Sequence, residues 1–97
     1  MQHADNRRST RRNIRLQTRQ AERLLKSPLM VSQRPLVRIT RDALIRQVWH
    51  GGRVLAMIRN GESYANELGR LETSIAMVAK AMRCLRFANK LGECNGK

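Results

Sequence analysis

The chemistry this chain offers is cationic. Lys80, Arg83, Arg86 and Lys90 recur at spacings of three, three and four, which on a helix confines them to an arc about 120° wide. A second group, Arg7, Arg8, Arg11 and Arg12, falls in the opening segment MQHADNRRSTRR, which holds almost nothing apolar. Guanidinium and ammonium groups arranged this way neutralise phosphates, and they can pair with guanine O6 and N7 in the DNA major groove. Other chemistries find little support. His3 and His50 stand far apart with no CxxC nearby, so no metal site is legible and no cofactor is expected. Cys84 and Cys94 are too few for a disulfide scaffold, and free thiols suit a reducing cytoplasm.

Charge over the whole chain points the same way. The 97 residues carry 20 Lys+Arg against 7 Asp+Glu, a formal +13. That much like charge opposes compaction and calls for an anionic partner. It is also uneven: residues 1–26 hold eight basic and two acidic side chains, residues 27–60 six and one, and residues 61–97 six and four. Residues 1–12 lack the apolar surface to offset the entropy of ordering. They are expected to form a disordered basic arm, either a phosphate-neutralising arm or a solvated tail with no target. The aromatics are only Trp49, Tyr64 and Phe87, which argues against a β-sandwich and against an aromatic platform for single strands. No apolar run approaches the roughly 20 residues of a membrane span, and no apolar segment follows the twin arginines as a secretory signal requires.

The elements that would position these cations are helical. Residues 13–26 show a narrow apolar pattern at Ile14, Ala21, Leu24 and Leu25 that ends at Ser27-Pro28. Residues 29–39 have extended character, interrupted by Pro35, and would make an edge strand at most. Thr40 suits an N-cap, and Leu44, Ile45, Val48, Leu55 and Ile58 predict a helix over 41–59. Asn60-Gly61 would end it. Gly51-Gly52 in its middle implies either a kink or the close passage of another helix.

A second helix is expected over 63–72, capped by Ser63 and carrying Tyr64, Leu68 and Leu71. A third, over 75–90, is capped at Thr73-Ser74 and buries Ile75, Val78, Met82 and Leu85. Two amphipathic helices across so short a junction make a helix-turn-helix, whose second helix enters the major groove. The alternative is a plain helical hairpin with a solvated basic face. The expected fold is therefore all-α: a small three-helix helix-turn-helix domain over 36–97, with the helix-turn-helix at about 63–90, preceded by an arm and linker over 1–35. Trp49 is expected in or over the core, His50 exposed, and Met57, Met77 and Met82 as core fillers.

Residues 44–62, LIRQVWHGGRVLAMIRNGE, resemble the tail of the bacterial resolvase/invertase-like serine recombinases. Leu44, Ile45, Arg46, Val48, Arg53, Met57, Ile58, Gly61 and Glu62 match its pattern by type. Residues 77–84, MVAKAMRC, are similar to the end of that family's helix-turn-helix through Val78, Lys80, Met82 and Arg83. The likeness covers about 36–91, and departs from the pattern at Trp49, Gly51-Gly52 and the turn, where Glu72-Thr73-Ser74 replaces a glycine. It implies a DNA-binding tail lacking its catalytic domain. Arg8-Ser9-Thr10 faintly echoes the nucleophile motif of such a domain, but with no apolar strand before it Ser9 has nothing to activate it. The expected protein is no enzyme. It binds duplex DNA, either sequence-specifically or generally, in the cytoplasm at the nucleoid, with a homodimer possible. The competing classes are a small RNA- or ribosome-associated basic protein and a basic helical module for an acidic protein partner or an anionic membrane surface.

Overall fold

A computed structural model describes residues 2–95, with side chains described over 9–88. The fold is all-α. Helix α1 spans Gln2–Leu25, a 3₁₀ turn covers Pro28–Val31, α2 spans Pro35–Arg59 and α3 spans Ala65–Asn95. No strand occurs among the described residues. The helices run up, down and up, with α2 packed against both neighbours.

Helix α2 begins six residues before the expected start. Pro35 occupies its first turn, where the missing N–H is no loss and the fixed φ is already helical. The strand expected near 29–39 is thus replaced by a 3₁₀ turn and the start of a helix. Ser27 caps the turn by accepting from the Leu29 N–H at 3.3 Å. Arg41 then reaches back to donate to the carbonyls of Met30 and Ser32, tying the turn to α2. At the other end Gly61 takes φ 73°. Its N–H donates to Ile58 O at 3.2 Å, and the Glu62 N–H donates to Met57 O at 2.9 Å. This paired closure satisfies the last carbonyls of α2, and a glycine adopts it without steric cost.

The two helices expected over 63–72 and 75–90 are one. No turn separates them, and α3 continues through Glu72-Thr73-Ser74. The hydroxyls expected to cap a new helix point backward instead. Thr73 Oγ1 donates to Gly69 O and Ser74 Oγ to Arg70 O, both at 3.0 Å. Thr40 does the same, donating to Leu36 O at 2.8 Å from inside α2. A Ser or Thr bonded to the carbonyl four residues back belongs to a helix interior. The helix-turn-helix expected at about 63–90 therefore lacks its turn.

Two adjoining clusters make up the core. One joins Ala21, Met30, Val37, Ala43, Leu44, Val78 and Leu85; the other joins Ile14, Val54 and Leu71, with Leu55, Ile58, Tyr64, Leu68 and Ile75 against it. Leu44, Val54 and Leu71 are sealed from solvent, and each such side chain contributes about 1.5–3 kcal/mol by burial. Because α1 supplies Ile14 and Ala21, residues from 14 onward belong to the bundle and not to a linker. Residues 2–12, part of the segment expected to be disordered, lie on the path of α1. Gly51 is the contact that brings α1 in. A Cβ there would lie 2.3 Å from Thr18 Oγ1, whereas one at Gly52 would meet nothing within 4 Å.

Candidate nucleic-acid interface

On α1 the core is carried by Ile14, Thr18 and Ala21. The opposite side is set by the same periodicity. Arg12, Arg15, Arg19 and Arg23, spaced three, four and four, fall within an arc of about 80° and are all exposed. From Arg12 to Arg23 the stripe rises about 17 Å at about 1.5 Å per residue. Glu22 stands beside it. Among the described residues none of the four arginines forms an ion pair, so no described carboxylate neutralises them. Arg11 lies at one edge of the stripe. It lines a crevice with Arg15, Leu55 and Arg59, where α1 meets the end of α2. Three guanidinium groups around one crevice suit an anion that accepts several hydrogen bonds, as a phosphate does.

The sequence-expected cations are placed as follows. Arg11 and Arg12 join the α1 stripe. Arg7 and Arg8 lie within α1, and Lys90 within α3, but their side chains are outside the described residues. Lys80, Arg83 and Arg86 are exposed on α3, away from the buried Val78, Ala81 and Leu85. Glu72 and the exposed Phe87 share that outward side. Without a turn at 73–74, this segment is the continuation of a long helix and not a separate recognition helix. Arg15, Arg19, Arg23 and Arg59 were not singled out by the sequence, although the spacing of the first three continued from Arg12.

A second constellation joins α2 to α3. Glu67 is 3% exposed and sits one turn before Leu71 on the buried stripe of α3. Its carboxylate pairs with His50 Nδ1, with Arg53 Nε at 3.3 Å and with Arg70 Nη1 at 3.4 Å. The hydrogen bond from His50, with the hydrogen bond and positive charge of Arg53, holds the carboxyl below its ordinary value, against burial, which pushes it up. A buried carboxylate held by a histidine and two arginines acts as a clamp fixing the register of α2 on α3. His50, expected to be exposed, is an internal partner here.

The clamp continues outward. The Arg53 guanidinium lies 4.8 Å from the Trp49 ring centroid, and His50 meets the same ring nearly edge-on at 5.2 Å and 81°. Trp49 is 58% exposed, so of the two places expected for it, in or over the core, the first is excluded. Met77 is likewise exposed, while Met57 and Met82 are half-buried.

No protein-family model, no curated protein and no solved structure matches the chain. Among the described residues no helix is long and apolar enough to cross a membrane.

Proposed function

We propose that the protein binds the phosphate backbone of nucleic acid, duplex DNA foremost, through the outer face of α1. The observation that carries this reading is the stripe of Arg12, Arg15, Arg19 and Arg23, exposed and without acidic partners among the described residues. The stripe is on a helix anchored to the core by Ile14 and Ala21, so its charges stand at fixed intervals. The major groove of B-DNA admits an α-helix, while the deep, narrow groove of A-form RNA does not. Phosphate contacts of this kind position a protein without reading bases, so binding is general over sequence. Arg11, Arg15 and Arg59 add a point of stronger phosphate attachment. Lys80, Arg83 and Arg86 supply further positive field from α3. Descent from a recombinase tail is no part of this reading.

The test is competition between labelled duplex DNA and an RNA hairpin of equal length at matched salt. Duplex DNA should hold the protein against the RNA. Tighter binding of the RNA would move the protein to the RNA-associated class. Binding of neither at low salt would remove the reading and favour an acidic protein partner.

A further inference from the structure

We infer that Trp49 is a stacking site for an unpaired base of the bound nucleic acid; this rests on the nucleic-acid reading above. A large aromatic ring more than half exposed at a mid-helix position adds little to the buried core. It is nonetheless held in place. Arg53 lies over the ring, and Arg53 is itself gripped by the buried carboxylate of Glu67. His50, the other neighbour of the ring, is gripped by the same carboxylate. A surface ring fixed by two residues that share one buried anchor has given up its freedom before any partner arrives, so stacking on it costs little further ordering.

The surroundings of the ring fit a nucleotide. Arg46, Arg53 and Asp42 share the exposed side of α2 with Trp49; with Glu67 and its further partner Arg70 counted in, three arginines face two carboxylates, a net positive rim suited to a phosphate next to a stacked base. Arg53 also brings a planar cation to the stack. Gly52, three residues on, is exposed, and a Cβ there would meet nothing within 4 Å. Unlike Gly51, it meets no neighbouring helix among the described residues, and it leaves bare backbone one turn from the ring where a base plane can approach. Stacking on an aromatic is tolerant of base identity, in keeping with general binding.

Trp49 is the one tryptophan in the chain, so its fluorescence reports the site directly. The protein is titrated with three DNAs at one salt concentration: a blunt duplex, the same duplex with a short thymidine tail, and the same duplex with an abasic tail of equal phosphate number. The thymidine tail should quench Trp49 and bind about tenfold tighter than the abasic one. Trp49→Ala, followed by anisotropy of labelled DNA, should abolish that difference and leave the blunt duplex bound as before. Trp49→Phe should keep part of it. Equal binding of the two tails without quenching would overturn the inference while the backbone reading stood. Quenching by an acidic peptide and not by the thymidine tail would also overturn it, assigning the ring to a protein partner. Failure to bind even the blunt duplex would remove both readings.

Discussion

Gly51 packs against Thr18 so closely that a Cβ at position 51 would stand 2.3 Å from the threonine hydroxyl oxygen. This contact seats α1, and with it the arginine stripe, on α2. Gly51→Ala gains about 0.5–1 kcal/mol of helix propensity, but the overpacking costs about 1–3 kcal/mol, so the variant should be less stable. Gly52→Ala has open space and should be more stable by about 0.5–1 kcal/mol. Thr18→Ala should restore much of what Gly51→Ala loses, since Thr18 Oγ1 is the atom in the way and has no hydrogen-bond partner among the described residues. Urea unfolding followed by circular dichroism measures all three. Equal effects of the two glycine substitutions would contradict the close approach.

Position 73 separates a continuous helix from a turn. Thr73 is exposed in mid-α3 and bonded to Gly69 O. Thr73→Pro should cost about 3 kcal/mol or more, because it removes a helix hydrogen bond and clashes with that carbonyl. Thr73→Ala should stabilise the helix by a few tenths of a kcal/mol, roughly the difference in propensity. Were residue 73 a cap at a turn, the alanine would instead destabilise by about 1 kcal/mol. Thermal unfolding of the two variants distinguishes the cases.

Acid should loosen the contact between α2 and α3. The Glu67 carboxyl is held below its ordinary value of 4.5, first by the hydrogen bond from His50 and then by Arg53. A carboxyl whose folded value is depressed contributes stability that is fully present above the unfolded value. That contribution is lost as pH falls through the lower folded value. Glu67→Gln should therefore have a lower Tm than the parent at neutral pH, and the gap should narrow below about pH 4.5. A gap that stays constant into acid would mean that the ionised carboxylate is not what stabilises this contact.

The periodic apolar residues were legible in the sequence. Leu44, Leu71, Val78 and Leu85 fall on helical spacing and are buried, and Gly61 ends α2 in the left-handed conformation that Asn60-Gly61 suggested. The hydroxyls misled. Thr40, Thr73 and Ser74 have the residue type of a cap, yet a threonine that bonds backward to the carbonyl at i−4 looks the same in sequence. Pro35 misled for a related reason, since a proline that breaks a strand also opens a helix. Glu67 was overlooked although it stands on the stripe continued by Leu71, Ser74 and Val78, where a carboxylate must find partners if buried. Nothing local announced those partners: His50 and Arg53 come from another helix. The arginines of residues 11–23 were divided between an arm and a helix, which hid the single stripe they form.

The most direct measurement is the salt dependence of duplex binding for two triple variants, each compared with the parent chain. Changing Arg12, Arg15 and Arg19 to Gln should lower the slope of log K against log salt by roughly 2.7, at about 0.9 for each phosphate no longer neutralised. Preference among DNA sequences should not change, because phosphate contacts carry no sequence information. Changing Lys80, Arg83 and Arg86 to Gln should lower the slope by clearly less. If the α1 variant kept the parent slope while the α3 variant did not, α3 would be the DNA-binding face and the central role given to the α1 stripe would be contradicted.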